Sequence, residues 1–369
     1  MRTIKRRSLS FALLLALLLC LLCACTPSEN LPTIGEESLP PQEPAEPEYF
    51  YCPLDHQALG IVGEDEPLEA RALVCSVDNL KSARPQSGLS TADIVYEAPA
   101  EGGVSRFLLV FYHGTTDMVG PIRSARPYLV DIAREWGGVF IHCGGSNDAL
   151  SYLSQNKVHY INELAGAKGF WRDKTRRAPH NLYTSVENIY AYLEDRSWPQ
   201  TQEVDGFLFL EEGEGQSGGE RADRIQLNYP GAKNTYTYDS ESGLYLRETS
   251  GTVNTDRNND VQIQAANIIV QKISSKVLDS EGRLSIDLVG TGEAYFFSQG
   301  IVKQGTWKRD SLDSRTKFYD ADGSEWQLAP GQTWIQLADG SVTLQYEDTT
   351  PPPSETQGEE QTSGGAASE

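Results

Sequence analysis

The chain has 369 residues, with 31 Lys and Arg against 52 Asp and Glu, for a formal net charge of −21. That length suits more than one folding unit. The acidity excludes a protein that coats nucleic acid, because such binding needs a basic footprint.

At the N-terminus, Arg2, Lys5, Arg6 and Arg7 precede an apolar run from Leu9 to Leu22, broken by Ser10 and Cys20. A bilayer span needs about 20 apolar residues, so this shorter run predicts the apolar part of a secretory signal. The following Leu22-Cys23-Ala24-Cys25 has the arrangement of a bacterial lipobox, in which the cysteine thiol is acylated before cleavage. Residues 1–24 are therefore expected to be a lipoprotein signal peptide, and lipid on Cys25 to hold the chain on the extracytoplasmic face of the cell membrane. Cleavage removes four basic side chains and no acidic ones, leaving a charge of −25.

Residues 25–48 read as an acidic, Pro-rich linker and residues 347–369 as an acidic tail. Neither carries enough apolar surface to offset chain entropy, so both are expected to be disordered. Between them, residues 49–211 alternate strand-like and helix-like segments. Ala72–Val77 and Arg106–Tyr112 read as strands, and Ser124–Trp136 as a helix ended by Gly137-Gly138. Val139–Cys143 is a third strand, Ser146 and Ser185 each open a helix, and Phe207–Leu210 is a closing strand. This alternation predicts an α/β N-terminal domain with a mixed sheet and helices. Residues 212–223 form a Gly-rich linker. Residues 224–346 then alternate with a period of two, as in Ile225/Leu227/Tyr229 and Leu284/Ile286/Leu288, which predicts a mainly antiparallel all-β C-terminal domain. The cysteines that follow Cys25 are Cys52, Cys75 and Cys143. An odd set rules out a complete disulfide framework and points to buried free thiols.

Three stretches concentrate the polar chemistry. One runs from Ala83-Arg84-Pro85-Gln86-Ser87-Gly88 through Asp93, Glu97 and Glu101 to Arg106; the second is Gly120-Pro121-Ile122-Arg123-Ser124-Ala125-Arg126-Pro127. The third spans His142-Cys143-Gly144-Gly145-Ser146, Phe170-Trp171-Arg172 and Arg176-Arg177-Ala178-Pro179-His180-Asn181. With Gly305–Trp307 and the string Pro330–Leu337, these stretches resemble the YerB-like lipoproteins over about Leu73 to Leu337. The resemblance implies a two-domain envelope lipoprotein and supplies no reaction, substrate or cofactor.

In an open α/β sheet, ligands bind outside the carboxyl ends of strands, where helix starts offer free N–H groups. Gly144, Gly145 and Ser146 are ligand-binding candidates on that ground; their plainer role is a strand-to-helix turn with Ser146 as N-cap. Arg123, Arg126 and Arg176, with Asn181, are candidates because guanidinium forks grip carboxylate or phosphate at two points. Pairing with Asp93, Glu97, Glu101, Asp131 or Asp173 would account for some of the arginines. His142 and His180 are acid/base candidates, with Glu101 or Asp93 assisting; if residues 90–97 are helical, Asp93 and Glu97 share a face. No metal site is read, since no H-x-x-x-H or C-x-x-C spacing occurs after Cys25. The aromatics of the second half, among them Tyr236, Tyr238, Tyr245, Trp307, Trp326 and Trp334, are expected mostly in the core.

The function expected from these residues is capture of an anionic ligand, a cell-wall glycan or a muropeptide, by an Arg/His pocket in the N-terminal domain, without a cofactor. One alternative is a cell-wall hydrolase using His142 and His180 with Glu101 or Asp93. Another is a scaffold that docks a second envelope protein through the β domain.

Overall fold

In this computed structural model, residues 47–349 other than residue 212 are described. The signal segment, Cys25 and nearly all of both acidic tails fall outside the described residues. Among the described residues, no helix is long and apolar enough to cross a membrane.

The first half contains strands β1 (Tyr49–Tyr51), β2 (Ala58–Ile61), β3 (Leu73–Asp78), β4 (Ile94–Pro99), β5 (Ser105–Phe111), β6 (Val139–His142) and β7 (Tyr160–Asn162). Its helices are α1 (Pro127–Glu135), α2 (Asn147–Gln155) and α3 (Val186–Asp195). The strands β3, β4 and β5 are buried at every position. They are mostly apolar along their length because both faces of their sheet are covered.

The central sheet has eleven strands and runs through both halves of the sequence. From one edge it passes through Glu220–Arg221, Ile301–Arg309, Gly290–Ser298, Asn267–Lys272 and Thr333–Ala338, then continues as β4, β5, β3, β6 and β7; Lys317–Tyr319 pairs beside Ile301–Arg309. The seam is a parallel pairing of Thr333–Gln336 with Ile94–Glu97. One face is covered by α1 and α2 through Tyr128, Leu129, Ile132, Ala149 and Leu153. The other packs on α3 and on a six-stranded antiparallel sheet that supplies Ile225, Leu227, Tyr236 and Tyr245. Thus the N-terminal part is a mixed α/β sheet with three helices, and the C-terminal part contributes the antiparallel β-sheet.

Local chemistry explains most element ends. Ser146 and Ser185 accept hydrogen bonds from the amides of Ala149 (3.2 Å) and Asn188 (3.0 Å), capping α2 and α3. Helix α1 begins later than the sequence suggests, at Pro127 rather than Ser124, and its N-cap Arg126 makes no side-chain cap. Proline tolerates that first turn because its missing N–H would have no intrahelical partner there. Residues 90–97, which the carboxylate spacing allowed as helix, instead lead into and enter the buried strand β4, Ile94–Pro99. The segment Phe207–Leu210 contributes only Leu208–Phe209, which pairs with Gln327–Leu328 instead of closing the sheet of the first half. Val261 and Ile263 flank a single bridge, Thr255 to Gln262, and do not extend into a strand. Tyr236, Tyr245, Trp307, Trp326 and Trp334 are buried. Cys52, Cys75 and Cys143 are free thiols; Cys143 is half-buried and donates to Glu163 Oε2 (3.2 Å).

Candidate functional site

The carboxyl edge of β3 and β6 gathers most of the polar candidates. Strand pairing sets Asp78, the last residue of β3, opposite Arg106 near the start of β5. Both point to the face covered by α1, because they continue the alternation that places Val74 and Leu108 in that core. The loop leading into α1 adds Arg123, whose backbone N–H donates to Ser76 O (2.8 Å).

Asp78 is the hub. Its carboxylate is buried, and its Oδ2 lies 2.9 Å from Arg123 Nε and 2.7 Å from His180 Nδ1. Beside it, Arg126 pairs with Glu101, with Nε 3.2 Å from Oε2. Burial works to raise the Glu101 pKa, but the hydrogen bonds and charge of Arg126 hold it below the usual carboxylate range.

Arg106 is the unusual member. It is 6% exposed, yet its Nε and Nη1 have no hydrogen-bond partner among the described residues, and none of its nitrogens forms an ion pair there. Burial holds its pKa below the ordinary arginine value; Asp78 and Glu101 pull the other way, and Arg123 adds to the depression. A buried guanidinium without hydrogen bonds is costly. It sits beside the Asp78 carboxylate and a second arginine with two enclosed donors unused among the described residues.

The other candidates serve nearby backbone. Arg176 donates from Nη1 to Ala83 O (2.7 Å) and from Nη2 to Pro85 O (2.6 Å), fastening the loop that follows β3. Asn181 accepts from Arg172 (3.1 Å) and donates to Asp173 O and Arg176 O (both 3.3 Å), shaping the segment that delivers His180. His142 is fully buried, stacked on Phe140 and tilted against Tyr160. Its Nδ1 lies 2.7 Å from Gly144 O, so that nitrogen donates and Nε2 keeps its lone pair, with no partner among the described residues. Gly144 adopts φ +62°, which favours glycine, and its N–H donates to Asn162 Oδ1 (2.9 Å). Gly145 and Ser146 complete the turn into α2. Asp93 lies at the opposite edge of the sheet with His113, 2.5 Å from its Nδ1.

Asp78 bears no mark in the sequence beyond ending an apolar run, and Arg106 reads there only as a partner for the nearby acids. A charged residue at one end of each of two largely apolar strands was the available signal. On the other face of the same edge, a cleft of about 600 Å³ opens beside Asn79, Lys81, Arg84, Ser105 and Asn254. A slightly larger one, about 690 Å³, is lined by Glu220, Asp320, Asp322 and Glu325 together with Lys303.

Comparison with known proteins gives a consistent picture. Residues 60–199 match the family described as protein of unknown function (DUF3048) N-terminal domain, and residues 225–335 match its C-terminal domain. A Bacillus subtilis (strain 168) protein named "Putative lipoprotein YerB" is 34% identical over 281 residues, covering 75% of this chain and 84% of the relative. The crystal structure of the YerB protein from Bacillus subtilis has a TM-score of 0.71 at 31% identity, covering 80% of this chain and 99% of that one.

Proposed function

Because the chain belongs to the DUF3048 family, we propose that it is a lipid-anchored envelope protein that captures an anionic ligand at the Asp78–Arg106–Arg123 edge. The observation that carries this reading is Arg106, a buried guanidinium with unused donors. Arg123 and His180 complete a rim of donors, and Asp78 keeps them oriented. In an exported chain tethered at Cys25, the fitting ligands are carboxylate-bearing wall fragments such as muropeptides, with a wall glycan able to continue into the cleft beside Arg84.

Calorimetry with muropeptides tests the site. Arg106→Met should weaken binding by about 1.5–3 kcal/mol, the worth of charge-assisted hydrogen bonds, while raising the stability of the ligand-free protein. Residues kept for binding at a cost to the fold show this opposition. Arg123→Lys should recover only part of what Arg123→Ala loses, since the fork geometry is gone. Unchanged muropeptide binding in both Arg106→Met and Arg123→Ala would refute the site.

Membrane attachment has its own test. Mass spectrometry of membrane-extracted protein should find acylated Cys25, and Cys25→Ser should release the chain. An unmodified Cys25 would remove the anchor from the proposal.

A hydrolytic reading is favoured by one contact, the His180–Asp78 pair at 2.7 Å. An aspartate on Nδ1 orients a histidine so that Nε2 can act as general base. Release of wall products by the native protein, lost in His180→Ala, would support that chemistry over capture.

A further inference from the structure

At the opposite edge of the sheet lies a second cluster, remote from the arginines. The turn between β1 and β2 is Cys52-Pro53-Leu54-Asp55, closed by hydrogen bonds between Cys52 and Gln57 and between His56 and Cys52 (both 2.9 Å). Asp93 stands immediately before β4, its N–H donating to Val110 O (2.9 Å), and His113 follows shortly after β5. Three separate segments thus deliver Cys52 Sγ, one carboxylate oxygen each from Asp55 and Asp93, and His113 Nδ1 to a single point. These four atoms all lie within 4.8 Å of one another. Asp93 Oδ1 is 4.0 Å from Cys52 Sγ and 2.5 Å from His113 Nδ1, and Asp55 Oδ1 is 3.7 Å from that same nitrogen. Cys52, Asp55 and Asp93 are buried.

The surrounding groups aim these atoms inward. The Leu54 N–H donates to Cys52 Sγ (3.4 Å), the contact that steadies a thiolate in a tight turn. Asp93 Oδ2 is occupied by the amides of Tyr112 (2.6 Å) and Gly114 (3.3 Å), which leaves Oδ1 facing the cluster. His113 Nε2 lies 2.7 Å from Gln57 Oε1. A ring that donates from Nε2 to an amide oxygen turns its other nitrogen to the centre as a lone pair, the arrangement of metal-bound histidines. Four electron-rich atoms then face one another, and only protons or a cation can sit between them.

We propose that Cys52, Asp55, Asp93 and His113 form a binding site for a divalent transition-metal ion of the Zn2+ class. One thiolate, one imidazole and two carboxylates suit tetrahedral zinc, whereas Ca2+ and Mg2+ take oxygen ligands in larger number. Four protein ligands in a largely buried setting make the site structural, with no open position for substrate. Binding displaces the Cys52 thiol proton, and the ion takes its place against the His113 Nδ1 lone pair and the two carboxylates. The ion would clip the β1–β2 hairpin, where the chain from Cys25 enters the fold, onto the sheet that carries the arginine edge. The sequence holds a trace of this in the C-x-x-D spacing of Cys52 and Asp55, but Asp93 and His113 join it only through pairing of β4 with β5.

Metal-stripped, otherwise intact protein titrated with Co2+ tests the proposal. The expected result is one Co2+ per chain, with a thiolate-to-cobalt charge-transfer band and the intense visible bands of a tetrahedral ion, both erased by Zn2+. Cys52→Ser should lose the charge-transfer band, Cys75→Ser should keep it, and Gln57→Ala should weaken binding about 10–100-fold, as expected for a group that orients a ligand. Native protein that takes up no Co2+, or takes it up without the charge-transfer band, overturns the site whether or not the variants fold. Equal Zn2+ affinity in native protein and a folded Asp93→Asn would do the same.

Discussion

Truncating Arg247 to alanine is expected to destabilise the folded chain by about 3–5 kcal/mol, the usual cost of removing one partner from a buried ion pair. Arg247 and Glu97 are 1% and 0% exposed, with Nη2 2.8 Å from Oε2. Glu97 comes from β4 and Arg247 from Leu244–Thr249, so this one pair ties the central sheet to the six-stranded sheet packed against it. Around it, Asn79, Ser105 and Asn234 donate to Glu97, and the guanidinium sits over the rings of Trp334 (4.9 Å), Phe107 (5.4 Å) and Tyr236 (5.6 Å). Without Arg247, a carboxylate is left in the core with neutral donors only. Urea unfolding should therefore show a large fall in midpoint. Glu97→Gln combined with Arg247→Met should recover much of the loss, because no buried charge remains to be matched. A loss below about 1 kcal/mol in Arg247→Ala would mean that the pair is not what couples the two sheets.

Stability should also fall as the medium turns acidic, through His142. Burial pushes its pKa down to about 4 from an ordinary 6.5, against the opposing effect of its hydrogen bond to Gly144. The unfolded chain therefore takes up a proton near pH 6.5 that the folded chain refuses until about pH 4. This contribution is complete above pH 6.5 and is lost as pH falls through the window down to the folded value. At 1.36 kcal/mol per pKa unit, the loss attributable to His142 is about 3 kcal/mol by pH 4. Comparing the native protein with His142→Asn across that range isolates it from the acidic side chains, which titrate in both. The native curve should drop more steeply, and an NMR titration should find His142 neutral at pH 6. Parallel curves would show that the folded imidazole accepts its proton normally.

Much of the fold is legible in the residues because the forces involved are local. Leu73–Asp78 and Ser105–Phe111 announce buried strands by their apolar stretches, Leu73–Cys75 and Phe107–Phe111. Ser146 and Ser185 announce helix starts because a hydroxyl three residues before a free amide has one obvious partner. The period of two after residue 224 announces β-structure because alternate side chains must point to opposite faces. What local patterns do not contain is which strand lies beside which. Backbone hydrogen bonds carry no residue identity, so the union of Ile94–Pro99 with Thr333–Ala338, and with it an eleven-stranded sheet built from both halves, left no local trace.

The same division holds for the two sites. From residue types alone, Arg123, Arg126 and Arg176 stood out as guanidinium forks, and His142 and His180 with Glu101 or Asp93 as acid/base candidates. The common centre of Arg123 and His180 did not: Asp78 and Arg106 are separated by 27 intervening residues in the chain and meet only through antiparallel register. Likewise Cys52 and Asp55 form a recognisable spacing, but Asp93 and His113 reach them through the pairing of β4 and β5. Sequence determined the kinds of chemistry present and the elements that carry them, since composition and periodicity act over a few residues. Tertiary structure decided which charges share a buried space, because the cost of burying them depends on neighbours that only long-range packing supplies.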